Sequence, residues 1–284
     1  MNSIAIGIDA SRNRSGGARA HLVGILTEGD PLKFGIGEVH VWAYEALLNS
    51  IPDRPWLIKH NPPALELSLL KQMWWQRFSF PVAARRAGCK IVLNTDAGTI
   101  STFRPAITMS RDMLSYEPGV IERFGFGRAR LRLILLRYIQ NRSLRDADGA
   151  IFLTRYAAEV IQKSCGMLPH IAYIPHGVGA NFKCTERLGV WPASNARPIR
   201  CVYISNAAMY KHQWVVVRAI AELRKRGHDV TLTLVGGGMG PAQQMLQDAI
   251  DVSDPQGEFV QQLSYVPQSE LPSHLSNADI FVFA

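Results

Sequence analysis

Lys211 has the most to do chemically, because it stands in a polar turn between a β-branched run and an amphipathic helix, within Ile199–Leu223 (IRCVYISNAAMYKHQWVVVRAIAEL). Read as strand, loop and helix, this stretch sets Asn206 and a cation at the carboxyl end of a strand, where helix N-termini collect phosphates. A solvated lysine opening a helix has the same local pattern, so the neighbouring turns must decide. After the strand Val230–Val235 comes GGGMGP, with Gly236 and Gly237 ahead of a helix at Ala242–Ile250. Near the N-terminus the strand Ser3–Asp9 runs into DASRNRSGGARAHLVGIL, a glycine turn opening a helix that carries His21, Leu22, Ile25 and Leu26. Gly16 and Gly17 let a ligand approach the backbone closely, and the first free N–H groups of that helix suit phosphate or sugar hydroxyls. A plain glycine-rich connection reads the same way.

Two further strand ends carry polar groups: CKIVLNTD closes on Asp96, and AITMS (Ala106–Ser110) is followed by Arg111 and Asp112. In a parallel sheet these ends share one edge with Ser15–Gly17, so one cleft can hold all three. Asp96 and Asp112 as helix caps or turn formers fit equally well. The triplet Asp146–Asp148 (DAD) precedes a strand where a metal site should follow one, so a metal reading is rejected; polar entry into the strand GAIFLT explains it. GGGMG has part of a dinucleotide fingerprint, but its third glycine is misplaced and no acidic residue closes a second strand about twenty residues on. Nicotinamide binding is therefore the weaker reading.

The elements that must position these groups alternate between strand and helix, which predicts an α/β protein with mostly parallel sheets. Further strands are expected at Phe34–Ala43, Trp56–His60 and His170–Pro175, with helices over Ala64–Ala87 and Thr154–Lys163. In Ala64–Ala87 the cluster Met73, Trp74 and Trp75 is assigned to the core, and Pro81 should break or kink the helix. The glycine- and proline-rich connector 177–198 separates a first domain, 1–176, from a second, 199–284. In the second, Phe259–Val266 reads as a strand, Ser269–His274 as a short helix and Asp279–Ala284 as a buried strand.

With 284 residues and 47% hydrophobic content the chain can fill two cores. It has no run of about eighteen apolar residues and no leader pattern, so the expectation is a cytoplasmic, unprocessed protein. Cys89, Cys165, Cys184 and Cys201 are isolated and read as free thiols. The net charge of +8 favours anionic partners. Much of it lies between Glu122 and Arg145, where arginines alternate with leucines and aromatics in a basic amphipathic helix. Such a helix can lie peripherally on the inner face of an anionic membrane; an ordinary surface helix with Leu131, Ile134, Leu135 and Tyr138 turned to the core has the same spacing. No nucleic-acid motif accompanies the charge, and nucleic acid is not expected as a partner.

Five stretches in order, SGGARAH, IAYIPHGV, YISNAAMYKHQWVVVRAI, TLTLVGGG and YVPQSELPSHLSNADIFVFA, resemble the family-4 retaining glycosyltransferases of GT-B fold. The resemblance implies two Rossmann-like domains, the second holding a nucleotide-diphosphate sugar and the first the acceptor, with no metal and no other cofactor. It matches Lys211 to the lysine that neutralises the donor diphosphate, Gly16 and Gly17 to the loop beside the phosphate, and Gly236, Gly237 and Val266 to the nucleoside pocket. The arginine usual ahead of that lysine is replaced by Ser205, Asn206 and Ala207, and the strand-end histidine of many members falls on Ser110, Arg111 and Asp112. The site set so implied is Lys211, Arg111 and Asp112 as catalytic groups, Asn206 with the glycines and Val266 on the donor, and His21, Asp96 and Ser110 on the acceptor side. The activity implied is hexosyl transfer with retention to a glycan or lipid-linked acceptor, of polysaccharide or lipopolysaccharide type. The family's acidic signature would lie just beyond DIFVFA, which implies truncation in the second domain. The competing classes are a non-catalytic nucleotide-sugar-binding fragment and an NAD(P)-dependent dehydrogenase.

Overall fold

The computed structural model describes residues 3–14, 16–183, 191 and 197–284. They form two compact units, Met1–Gly177 and Val178–Ala284. Ser15, Cys184 and most of the connector expected over 177–198 lie outside the described residues.

The first unit runs β1 (Ile4–Asp9), α1 (Gly16–Glu28), β2 (Ile36–Trp42), α2 (Glu45–Leu48), β3 (Leu57–His60), α3 (Leu69–Trp74), α4 (Phe80–Arg86), β4 (Ile91–Asn94), β5 (Ala106–Ser110), α5 (Arg128–Asp146), β6 (Gly149–Phe152), α6 (Arg155–Cys165) and β7 (Ile171–Tyr173). Its strands all pair in parallel in the order β3-β2-β1-β4-β5-β6-β7. The order reverses between β1 and β4, so the loops leaving their carboxyl ends diverge and open a crevice there. Ile8, Val39, Val41 and Val92 are buried and pack with Leu22 and Leu26 of α1 and with Trp75 and Phe80. Helices covering both faces explain why the central strands are apolar without alternation.

The helix expected over Ala64–Ala87 is instead a 3-10 turn at Pro63–Glu66, then α3, a π-type turn at Trp75–Ser79, and α4. Pro81 cannot donate an N–H and its ring crowds the carbonyl four residues back; one wide turn, with the Phe80 N–H bonded to the Trp75 carbonyl, lets the chain continue past it. That turn rotates Trp75 and Gln76 inward, while Trp74 stays 62% exposed and does not join the core.

For α5 the alternative with Leu131, Ile134, Leu135 and Tyr138 turned to the core does not hold. Its buried residues, Leu133, Gln140, Ser143 and Leu144, make one narrow stripe, and Leu131, Ile134, Leu135 and Tyr138 lie on the other side, exposed. Spacings of seven and four residues place each set on its own face, and only the first packs on the unit.

The second unit contains β8 (Ile199–Ile204), α7 (Gln213–Lys225), β9 (Val230–Val235), α8 (Pro241–Ser253), β10 (Val260–Leu263), α9 (Leu271–Ser276) and β11 (Ile280–Phe281). Its strands pair in parallel in the order β10-β9-β8-β11, again with a reversal, between β8 and β11. The core is Tyr203, Leu232 and Leu234 against Trp214, Val217, Ile220 and Leu246. The strand expected to be buried over Asp279–Ala284 is a two-residue edge strand with Ile280 and Phe281 exposed. It pairs with Cys201 and Val202; the Asp279 and Val282 N–H groups donate to the Arg200 and Val202 carbonyls at 2.8 Å, and the Asp279 carboxylate takes N–H groups of Arg197 at 2.6 and 2.7 Å and the Arg200 backbone N–H at 2.9 Å.

At the other side of this sheet Asp254 organises the entry to β10. Its carboxylate, on a 5% exposed residue, accepts the backbone N–H groups of Glu258, Phe259 and Val260 at 2.8, 2.9 and 2.7 Å. Burial alone would push its pKa up, but the three N–H groups outweigh it and hold it below its ordinary value of 3.8. Asp254→Ala leaves three donors without their acceptor and should cost the second unit about 2 kcal/mol or more. In the native chain this stabilisation is present above pH 3.8 and fades as the pH falls through the depressed folded value. Thermal melting of both proteins checks this; an unchanged transition for Asp254→Ala would show that the carboxylate is not the clamp.

Candidate functional site

In the first unit the site begins with Asp9, the last residue of β1, whose carboxylate is buried. One of its oxygens accepts the Ser11 N–H at 3.1 Å and the Ser11 hydroxyl at 2.6 Å, and the other accepts the Gln76 amide at 2.6 Å. Burial still pushes its pKa above the usual carboxylate range against these bonds. The network extends outward: Thr95, after β4, donates to the Asp9 carbonyl at 2.8 Å and to Asn13 Oδ1 at 3.1 Å, and Arg111, after β5, donates to the same Asn13 oxygen at 2.9 Å. Loops after β1, β4 and β5 are thus tied into one polar floor, with Gln76 brought in by the π turn.

On that floor lie several residues singled out from sequence. Arg111 Nη2 stands 3.8 Å from the Asp96 carboxylate, which Arg12 shares from the other side at 3.8 Å. Gly16 opens α1 with φ +60, and neither it nor Gly17 has a neighbour where a Cβ would be. His21 sits in α1 against His176, ring centroids 4.1 Å apart. Burial first, then His176 and the charge of Arg111, pull the His21 pKa down to about 4. Ser110 is buried at the end of β5. Asp112 is exposed and its Oδ1 accepts the Leu114 N–H at 2.8 Å, the turn-forming alternative. Asp96 combines both roles, also accepting the Gly98 N–H at 2.7 Å. Asp148 of the DAD triplet is structural, its carboxylate accepting the Ala106 N–H at 2.8 Å. Asp9, Asn13, Gln76 and His176 were not anticipated as site residues. A carboxylate closing an apolar strand was the one local signal, at Asp9; the others are joined by contacts of long sequence separation.

In the second unit the loops after β8, β9 and β10 meet backbone to backbone. Gly236 has φ +114, and a Cβ there would run into the Ser205 carbonyl; a Cβ on Gly238 would come to 2.8 Å from the Ala207 carbonyl. Gly237 packs on Ser264, and its carbonyl accepts the Ala207 N–H at 3.1 Å. These approaches need residues without side chains. The opening beside them, about 480 Å³, is lined by Gly237, Gly238, Met239, Gln243, Gln262 and Ser264. The Gln243 and Gln262 amides bond to each other at 3.1 and 3.2 Å, and Gln243 Oε1 accepts the Gly238 N–H at 3.1 Å; neither glutamine was foreseen. Val266 follows β10 on this edge.

The lysine loop is fixed from both ends. Buried Gln213 donates to the Ser205 carbonyl at 2.9 Å, and the Tyr203 hydroxyl donates to the Lys211 carbonyl at 2.6 Å. Lys211 ends a short 3-10 turn, and His212, in the left-handed region at φ 48, swings the chain into α7. The Lys211 ammonium lies 4.5 Å from the Phe283 ring centroid, and burial pulls its pKa down. The structure therefore gathers Asn206, Lys211, Gly236, Gly237 and Val266 on one sheet edge of the second unit. Gly16, Gly17, His21, Asp96, Ser110 and Arg111 gather on one edge of the first.

Residues 198–284 match the family described as Glycosyl transferases group 1. Over 147 residues, 48% of this chain, the sequence is 31% identical to the GDP-mannose-dependent alpha-(1-6)-phosphatidylinositol monomannoside mannosyltransferase of Mycolicibacterium smegmatis. The chain covers 36% of the length of that relative. Among solved structures, Anabaena HepE in complex with UDP-glucose aligns with TM-score 0.65 and 16% identity over 99% of this chain and 74% of HepE. Sucrose-phosphate synthase of Thermosynechococcus elongatus aligns with TM-score 0.68 and 13% identity over 98% and 74%. Likeness at such low identity speaks for the fold, the expected GT-B class.

The imidazole pair sets a pH dependence. The folded pKa of His21, about 4, lies below its ordinary 6.5, so the fold favours the neutral ring. Its contribution to stability is present above about pH 6.5 and is lost progressively as the pH falls toward 4. His21→Gln should flatten that part of the stability profile of the first unit, measured by thermal melts between pH 7.5 and 4. Identical slopes in the two proteins would exclude His21 as the titrating group.

Proposed function

We propose, for a chain of GT-B fold whose residues 198–284 are a Glycosyl transferases group 1 domain, that it transfers a hexose from a nucleotide-diphosphate sugar to a glycan or lipid-linked acceptor, retaining the anomeric configuration. The observation that carries this reading is the Lys211 loop after β8, packed through Ser205 and Ala207 on the glycine triplet after β9 at the carboxyl edge of the second sheet, inside the matched region. The Mycolicibacterium relative is named for a GDP-mannose donor and HepE was crystallised with UDP-glucose; both are nucleotide-diphosphate sugars.

In such a transfer, negative charge grows on the leaving diphosphate as the anomeric bond breaks. A group that meets that charge more strongly in the transition state than in the bound donor lowers the barrier. Lys211 suits the task, because burial disfavours its charged form and an arriving diphosphate would restore it. Its place over the Phe283 ring is a weak one that a phosphate oxygen can displace. The cleft at Gly237, Gln243 and Gln262 is offered for the nucleoside, with the paired amides available to read a base edge. The polar floor of the first unit, with Arg111 and Asp96, is offered for the acceptor. The reading requires no metal, since Lys211 and backbone N–H groups meet the diphosphate charge.

Lys211→Ala should weaken UDP or GDP binding by about 1.5–3 kcal/mol, roughly 10- to 150-fold in Kd, while melting like the native chain. Transfer from a radiolabelled nucleotide sugar should fall further, and EDTA should leave it unchanged. An unaltered Kd would remove Lys211 from the diphosphate site.

The acceptor side is read as a membrane surface. Arg128, Arg130, Arg132, Arg137 and Arg142 accompany exposed Leu131, Leu135 and Tyr138 on α5, with Phe126 fully exposed just before it. No described helix is long and apolar enough to cross a membrane, whereas this one has the composition to lie on one. The chain should sediment with anionic vesicles and not with phosphatidylcholine alone, less so at high salt, and Leu131→Ser with Leu135→Ser should reduce the bound fraction several-fold. Equal binding to both vesicle types counts against this surface.

A further inference from the structure

Past the carboxyl edge of the first sheet, titratable groups gather around an arginine that keeps one donor unmatched among the described residues. Arg111 has a side chain only 11% exposed. Its Nη2 is committed to Asn13, and its Nε is buried with no hydrogen-bond partner among the described residues. Beside it stand His21, from α1, and His176, beyond β7, ring against ring with planes at 62°. The charged and titratable groups facing this place are Arg111 after β5, Arg12 after β1, Asp96 after β4, the buried Asp9 at the end of β1 and the two imidazoles themselves. Asp96 stands 3.8 Å from both guanidiniums, and Asp9, bonded to Ser11 and Gln76, is coupled to Arg12, so neither carboxylate fills the open donor of Arg111.

A buried N–H donor left unmatched is costly, and a ligand that matches it recovers that cost. The rings are neutral because they are partly desolvated and lie near Arg111. An oxyanion seated among the three would accept from Arg111 and reverse the local sign, making a protonated ring the better donor. We propose that Arg111, His21 and His176 form a binding site for an oxyanion, a phosphate ester or a carboxylate, and that its binding raises the proton affinity of the imidazole pair. Any proton gained forms an N–H bond on a ring nitrogen and comes from solvent, and no bond between heavy atoms forms or breaks. The phosphates of a nucleotide and an anionic group on a second substrate share this chemistry. The site shares Arg111 with the acceptor floor of the transferase reading and deepens it, and its test does not depend on transfer.

The test uses the full chain and inorganic phosphate. The ring signals of the eight histidines are followed by NMR from pH 4 to 8, with His21→Gln and His176→Gln giving the assignments. Saturating phosphate should raise the midpoints of His21 and His176 by one unit or more and leave the others in place. Calorimetry at pH 5 in buffers of different ionisation enthalpy should show net proton uptake on phosphate binding, smaller in both histidine variants. Arg111→Gln should weaken phosphate at least tenfold; should it fail to fold, Arg111→Lys keeps the charge, removes the fork and should weaken it several-fold. Midpoints unmoved by phosphate, no proton uptake, or an undiminished response in the Arg111 variant each overturn the proposal. Saturating UDP or GDP distinguishes the sources: phosphate displaced from the histidines points to nucleotide phosphates, and phosphate retained points to a second substrate; either supports the site. Loss of the phosphate response with nucleotide still bound at Lys211 sinks this site alone, and the converse sinks the transferase reading alone.

Discussion

The first unit depends on the burial of one carboxylate. Asp9 closes a central strand where water does not reach, and a carboxyl group there needs partners brought by the protein. Ser11 supplies two from the loop that follows, and Gln76 supplies another from 67 residues away. Gln76 lies buried in the wide turn at Trp75–Ser79, where the helix passes Pro81. Once these groups are placed, the Asp9 carbonyl anchors Thr95, Thr95 and Arg111 converge on Asn13, and the floor of the crevice is complete. A local accommodation in a helix thereby sets the geometry at the ends of three strands.

The second unit solves a similar problem with backbone in place of side chains. Its loops after β8, β9 and β10 touch so closely that Gly236 and Gly238 stand against carbonyls, and the contact holds the lysine loop beside the glycine turn. Gln213 and Tyr203 then fasten the two ends of that loop through its own carbonyls. Side-chain volume at the glycines would separate the loops, so the turn residues and the strand order require each other.

Both edges share an electrostatic condition. Lys211 in one unit and His21 and His176 in the other have their charged forms disfavoured by burial. Desolvation imposed by the fold makes each place more responsive to an arriving anion than a solvated cation would be, because the anion supplies what water no longer does. Asp96, shared between Arg12 and Arg111 at 3.8 Å, is too loosely held to cancel this.

Much of this was legible in the chain itself. The alternation of β-branched runs with amphipathic stretches determined two α/β units with parallel sheets. Glycines directly after strands determined where backbone would come close, and Lys211 ahead of Gln213–Lys225 determined a cation at a strand end. These features are local, set by periodicity and by the φ values a residue can adopt. What only the tertiary structure decided was every pairing across long separations: Gln76 with Asp9, Arg111 with Asn13, His21 with His176. It also decided which stripe of α5 faces inward, since Leu133 and Leu131 are equally apolar and only the neighbouring elements choose between them. Asp279–Ala284 shows the same limit, because an apolar run states that burial is favourable but not whether a neighbour is there to provide it; at Ile280 and Phe281 β8 lies on one side and no described strand on the other.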